Sequence, residues 1–485
     1  MMKKNTGLHL LLYFFVVLSS FLTVQPGEAA RIRGAELLTN VLVEEIYDDN
    51  VYLTDRDKQS DRLTHIVPSV SFDKAESNFY LNLRYGANLT YHDTYHQENQ
   101  YHHTGSWDTG ITPGSKLKIG MKGNDTYDFI KVDEREELLA DNTARLNCFS
   151  VTPYLEKEIG KRWNILLAHT YSERKYRNER EDEEEDLENS EYQEENADLQ
   201  CRLSKNVSII GGYWYSHTDF SEDTLSYSEQ GASGGLALDL VKSKVRVRGR
   251  IGHVWKKDEM DKKDDYEVID SQIDISLIKR TLITAGYTRS SSYLPTHEIN
   301  NDFYISHKVS GNIQHDLFNQ KVIIRYGATY NFLDYGPEET SDNSYSEERS
   351  DKSYHGTANL DWKISRSILL SLNGAWTKSN YTYHLDTRQD TSSGGGAALR
   401  WEILKPLIVY LNGNYTESNY EPENRRQKLY DGKCRLSYKM STNAFFELGY
   451  QYLEKKSAYD LLPQKDIPTD EYSNHKSSLG LKFVF

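Results

Sequence analysis

Past the first thirty residues, apolar side chains recur at every second position through most of the chain. The clearest stretch is Phe79 to His92, where Phe79, Leu81, Leu83, Tyr85, Ala87, Leu89 and Tyr91 alternate with Tyr80, Asn82, Arg84, Gly86, Asn88, Thr90 and His92. In an extended backbone the two sets leave opposite faces of a sheet, so this is a strand that is oily on one side and polar on the other. Its length exceeds the roughly five or six residues usual in soluble strands and suits a tilted membrane strand of about nine to eleven residues plus an overhang. The last stretch repeats the rhythm, with Leu479, Leu481, Phe483 and Phe485 on one face and Ser478, Gly480 and Lys482 on the other.

The pattern returns about every forty residues as a pair of strands, the mark of an array of hairpins. One member carries a Gly followed by aromatic and polar residues, as in Gly211-Gly212-Tyr213-Trp214-Tyr215, Gly327-Ala328-Thr329-Tyr330 and Gly374-Ala375-Trp376-Thr377. The other ends in runs such as Leu236-Ala237-Leu238-Asp239-Leu240. Connections alternate between short turns, such as Ser204-Lys205-Asn206 and Ser441-Thr442-Asn443, and longer polar segments around 129–141, 177–191, 294–301, 336–350 and 457–470. Short turns on one rim and long loops on the other are the asymmetry of a membrane barrel. The predicted fold is all-β, a transmembrane antiparallel up-and-down β-barrel of about 22 strands (range about 18–24), even in number so that it closes. A propeller or a solenoid also repeats, but neither needs strands this long.

The amino terminus reads differently. Met1 to Asn5 is basic, Leu8 to Val24 is apolar, and Gly27-Glu28-Ala29 offers a small-x-small cleavage site, so residues 1–29 read as a signal peptide rather than as a membrane anchor. Residues 30–39 then form a short periplasmic segment and 40–485 the barrel. No Cys follows the cleavage region, which argues against a lipoprotein, and no plug domain precedes residue 40, which disfavours a TonB-type transporter. No later run approaches the roughly 18 apolar residues of a membrane helix. Mean hydropathy is −0.73 and the net charge −15, made one unit more negative by removal of Lys3, Lys4 and Glu28; so acidic a surface is a poor match for nucleic acid. The 36 Tyr and 10 Pro suit many aromatic strands with interface girdles. Cys148, Cys201 and Cys434 lack disulfide or metal spacing and read as small apolar residues in strands.

If the apolar face meets lipid, the other face lines a lumen. A guanidinium on lipid near the midplane costs roughly 2 to 4 kcal/mol, so Arg246, Arg248 and Arg250, alternating with Val245, Val247 and Ile251, must face a wet interior. A loop centred near residue 260 sets Arg250 by Asp270 and Arg246 by Asp274, leaving Arg248 opposite Gln272 with its charge less compensated. Further lumen candidates are Arg84, Arg325, Asp361, Lys433, Arg435, Glu447 and Lys482. These charges form either a structural ladder or a basic stripe for an anionic solute. The acidic run of residues 179–188 reads as a solvated loop. His92, His96, His102 and His103 cluster in sequence near one loop and read as surface histidines rather than a metal set. No Gly-x-Ser-x-Gly elbow, His-Glu-x-x-His pair or phosphate loop occurs, and neither catalysis nor a cofactor is expected.

Two resemblances add to this. The final strand resembles the closing strand of bacterial outer-membrane barrels, whose terminal Phe is part of the signal read by the barrel assembly machinery, which implies that role for Phe485 with Phe483. Glu44 to Thr54, with Tyr47-Asp48-Asp49-Asn50, followed by Ser60 to Val70, resembles the amino-terminal signature of the outer-membrane β-barrel porins found with exopolysaccharide and exosortase loci (β-barrel porin 2-like). The match is specific over about residues 40–92 and holds elsewhere only as hairpin rhythm. It implies a pore or scaffold in outer-membrane lipid, with polysaccharide export components as partners. Two function classes remain: a porin passing an anionic or sugar-like solute, and a non-conducting scaffold or surface interaction protein with long acidic loops.

Overall fold

The structure is a computed structural model that describes residues 30–485 except 33, 55–56, 132–142, 178–188, 222–225, 243, 260–262, 277–279, 294–302, 336–348, 384–385, 422–423 and 460–470. A short strand, β1 (Ala30–Ile32), precedes the barrel staves. These are β2 (Ala35–Asp48), β3 (Asp61–Ala75), β4 (Phe79–His92), β5 (Gln100–Gly114), β6 (Leu117–Lys131), β7 (Thr143–Ile159), β8 (Trp163–Arg177) and β9 (Ser190–Arg202). They continue as β10 (Val207–Phe220), β11 (Tyr227–Leu240), β12 (Val245–Asp258), β13 (Lys263–Ile275), β14 (Thr281–Tyr293), β15 (Phe303–Leu317) and β16 (Val322–Tyr335). The last are β17 (Arg349–Lys363), β18 (Ile368–Tyr383), β19 (Asp386–Leu404), β20 (Leu407–Glu421), β21 (Arg425–Lys439), β22 (Ala444–Tyr459) and β23 (Tyr472–Val484).

Each stave pairs antiparallel with the next, and β23 returns to β2 in register from Asn40↔Val484 to Asp48↔Lys476, closing a 22-strand barrel. Closure leaves no strand edge along this seam, the usual liability of an open sheet. Thr39 and Phe485 exchange backbone hydrogen bonds of 2.9 and 2.8 Å at its foot. Below that, β1 folds back through Gly34, whose φ of +82° an L side chain would resist, and pairs Ala30 with Leu37. The barrel therefore starts at Ala35, five residues before the boundary at Asn40 that the pattern suggested.

The strand expected over Phe79–His92 has those bounds as β4. Both ends of the described chain lie at a rim where every connection between strands is short; all the longer connections lie at the other rim, which also has short ones such as β18 to β19 and β20 to β21. The acidic run 179–188 falls outside the described residues.

The two faces differ in what they expose. Outward parity carries Ile251 at 60 % exposure, Tyr47 at 54 % and Leu479 at 51 %. Inward parity carries the Arg246, Arg248 and Arg250 rungs, while outward parity carries charged pairs only nearer the strand ends, such as Arg289 with Glu267 close to the rim of the longer connections. The concavity of the inner face is visible in its side chains: groups from strands three apart meet there, which a convex wall would splay apart. Among the described residues no helix is long and apolar enough to cross a membrane, and this says nothing of strands.

Candidate functional site

The inner wall is organised by long side chains lying flat over glycines. Along one row of paired residues Tyr80 on β4, Gly110 on β5, Gly120 on β6 and Tyr154 on β7 are consecutive partners. The two phenols hydrogen-bond to each other across the glycines, Tyr80 also donates to Asp108 at 2.9 Å, and the Lys118 ammonium sits 4.7 Å over the Tyr80 ring. A methyl group on Gly110 would lie 2.6 Å from that ring, so the arch exists because the floor is bare.

A second arch joins β12 to β9. Arg250 Nη2 reaches Asp198 at 2.5 Å over Gly235 on β11 and Gly212 on β10. A methyl on Gly212 would stand 2.6 Å from the Asp198 carboxylate and 3.3 Å from the guanidinium. A third crosses the seam: Arg435 on β21 lies 3.4 Å from Glu447 on β22 and 3.9 Å from Glu44 on β2, passing Gly449 and Gly480, and His65 approaches Glu44 at 3.7 Å. Glu44 and Glu447 are buried, so without these partners each would carry the cost of an unpaired charge.

The register sets Arg250 opposite Asp270, Arg248 opposite Gln272 and Arg246 opposite Asp274, the pairing that the loop position implied. The ion pairs, however, form elsewhere. Arg250 turns to Asp198 and Arg246 to Asp239 at 3.5 Å, while Asp274 accepts from Gln272 and Thr284 at 3.0 Å each. Asp270 has no side-chain hydrogen bond or ion pair among the described residues, and neither has Arg248 or Arg84, both exposed to the interior. Arg325 binds Asp361 at 2.6 Å and Gln314 at 3.3 Å, and Lys433 lies 3.3 Å from Asp431. Lys482 faces inward beside Leu42 and Phe445. Phe483 and Phe485 leave the outer face with rings stacked 6.2 Å apart.

The Tyr47-Asp48-Asp49-Asn50 segment that carried the family resemblance grips the last strand. Asn474 donates to Asp48 Oδ1 and to the Asn50 carbonyl at 2.8 Å each, Lys476 binds Asp48 at 2.7 Å, the His475 amide donates to Asp49 at 2.6 Å, and Asn50 donates to the Ser473 carbonyl at 3.0 Å. Asn50 and Asn474 are fully enclosed. The four clustered histidines go to separate partners, His92 to Asp61, His96 to the His92 carbonyl, His102 to Asp128 and His103 to Asp125. Among the described residues no group of three or more His, Cys, Asp or Glu is placed to hold a metal ion, and Cys148, Cys201 and Cys434 are free thiols.

Sequence reasoning missed the neutral part of this wall. Across β15 to β20, Asn312, Thr357, Asn359, Asn373, Asn412 and Asn414 point inward, and none has a side-chain hydrogen bond among the described residues. Their inward parity is readable from alternation, but which of them meet depends on the register of several strands together.

No protein-family model matches the chain, and comparison with curated proteins finds no match. Among solved structures it resembles the FrpB iron transporter from Neisseria meningitidis (F5-1 variant; TM-score 0.61, 9 % identity, 92 % of this chain and 82 % of that one). It also resembles the siderophore receptor PirA from Pseudomonas aeruginosa (0.54, 11 %, 96 % and 81 %). A third is BauA, the ferric preacinetobactin receptor from Acinetobacter baumannii (0.57, 10 %, 93 % and 80 %). At such identities the likeness is one of fold: this chain shares the large closed β-barrel of these receptors.

Proposed function

We propose that this protein is an outer-membrane channel for polar solutes, exported through its signal peptide and inserted by the barrel assembly machinery through the Phe483–Phe485 strand. The carrying observation is the contrast between the two faces in the middle of a closed 22-strand wall, large apolar side chains such as Ile251 and Leu479 exposed outside and groups such as Arg248, Asn373 and Asn414 inside. A wall of this strand number encloses a lumen wide enough for an aqueous path. The transporters and receptors of like fold support transport as the class of activity. The porin resemblance supports passage of a secreted polysaccharide, with export components as partners. The reading assigns no catalytic residue and no cofactor.

Planar-bilayer recording tests it. Purified protein inserted into a lipid bilayer is expected to carry a steady ion current. Changing Arg84 and Arg248, two lumen arginines with no side-chain partner among the described residues, to Gln should move the reversal potential toward potassium. Silence from protein whose insertion is verified by protease protection would overturn the channel and leave the scaffold.

A further inference from the structure

The glycine floors on the inner wall differ in whether the protein itself occupies the space above them. At Gly212 the flanking polar groups, Asp198 and Ser233, frame a gap that the Arg250 guanidinium fills. At Gly396 on β19 the paired neighbours are Asn373 and Asn414. Both side-chain oxygens lean over the glycine: a methyl there would lie 2.6 Å from that of Asn373 and would collide with that of Asn414. Among the described residues neither amide finds a donor. Gly327 on β16 repeats the arrangement between Asn312 and Thr357, whose oxygens would stand 2.9 and 2.7 Å from an added methyl. Whichever way each amide is turned, it presents a hydrogen-bonding atom over the glycine, so two such groups converge on one spot.

A recess of about 200 Å³ lies beside the Gly396 frame, lined by Asn373, Thr377, Ser392, Gly394, Asn414 and Thr416. The transverse row Asn359, Asn373, Gly396, Asn414 is uncharged over four strands, bounded by Arg325 on β16 and Asp431 on β21. An anion would find no cation within this row, and an apolar ligand would strand its amides unpaired. A hydroxyl suits it, because one hydroxyl both donates and accepts, and amides offer both partners without charge. Repetition of the frame at Gly327 suits a ligand whose hydroxyls also repeat.

From this we infer that the β15–β20 wall is a binding track for a neutral polyhydroxylated chain, an oligosaccharide, with the Gly396 frame as one subsite and the Gly327 frame as another. This deepens the channel reading by assigning the sugar to named residues, and it rests on that reading only for the passage of the bound chain through the lumen.

The test is saturation-transfer NMR on detergent-solubilised protein with maltohexaose and cellohexaose, beside glucose 6-phosphate. Saturation of at least one hexasaccharide is expected, falling at least fivefold in the Asn373→Ala, Asn414→Ala double variant and unchanged in Arg248→Gln. Gly396→Val, which fills the frame without removing either amide, should lose the signal too; heat-modifiable migration on gels verifies that each variant is folded. Absence of transfer to both hexasaccharides, equal transfer from the double variant and the parent protein, or transfer only to glucose 6-phosphate would overturn the track. Binding without current in the bilayer would sink the channel and keep the site; current without binding would do the reverse.

Discussion

The wall from β9 to β12 and the wall from β15 to β20 use the same local device and put it to opposite ends. Both interrupt inward-facing polar rows with glycine, and both aim flanking oxygens at the bare backbone. On the first wall an arginine from three strands away closes the gap; on the second nothing from the described chain does. A filled frame ties distant strands together, as Arg250 does for β12 and β9, Arg435 for β21 and β2, and Tyr80 for β4 and β7. An unfilled one contributes no such tie and leaves hydrogen-bonding capacity facing the lumen. Stiffness and recognition are thus divided between arcs of one cylinder.

The largest expected effect comes from Gly235, beneath the Arg250 arch. A methyl there would run into the Gly249 carbonyl and lie 2.8 Å from the Arg250 Cα, backbone atoms that cannot swing away. Gly235→Ala should cost about 3 kcal/mol, the upper end of what overpacking does. Gly234→Ala, one residue along on the opposite face with open space around it, should change stability by less than about 0.5 kcal/mol. Urea unfolding followed by tryptophan fluorescence measures both; equal costs would mean that close approach has no part in this arc.

Next is the arch itself. Arg250→Gln leaves Asp198, 30 % exposed, without its charged donor, a loss of about 2 kcal/mol on the usual scale for hydrogen bonds to ions. Adding Asp198→Asn should recover part of it, and the double-mutant cycle reads the coupling directly. Zero coupling would reduce the arch to a chance approach of two side chains. On the open wall Gly396→Ala should cost less, about 1 to 2 kcal/mol, because the two atoms it meets first are the ends of flexible amides and the one backbone atom in reach, the Gly413 carbonyl, stands 2.9 Å away, farther than the Gly249 carbonyl at Gly235. A loss there as large as at Gly235 would show that the frame is structural after all.

Alternation made the staves legible. Phe79–His92 and the Arg246–Arg250 rungs follow from a period of two, because a one-residue slip would have put guanidinium groups on the apolar face; the register across the loop near residue 260 needed the position of that loop as well. The partners of those guanidiniums were not legible. Arg250 and Asp198 are 52 residues apart in the chain and not on adjacent strands, so no local pattern links them. The recurring glycines were visible as part of each hairpin, but their purpose depends on what the third strand over sends across them. Tyr47-Asp48-Asp49-Asn50 stood out as a motif, yet its partners Ser473 to Lys476 lie at the other end of the chain. The neutral row around Asn373 left no charge to catch attention.

The smallest effect on stability, and the sharpest on function, belongs to Arg248. It sits between two arginines of the same strand that are held by Asp239 and Asp198, opposite Gln272 and Ala237, with no acceptor of its own. Removing a charge that holds nothing should leave the unfolding midpoint where it is, within about 0.5 kcal/mol. Among the described residues no carboxylate forms an ion pair with that charge, so it faces the mobile ions of the lumen more directly than a paired guanidinium does. Arg248→Gln should therefore lower anion preference more than Arg246→Gln, whose guanidinium already shares its field with Asp239. The difference should be larger in 0.1 M than in 1 M KCl, since the screening length shrinks from about 10 Å to about 3 Å between them. Reversal potentials across a salt gradient measure this. If the two single variants move together, pairing along the wall does not decide which arginines the solute meets, and the division between tied and open arcs loses its functional meaning.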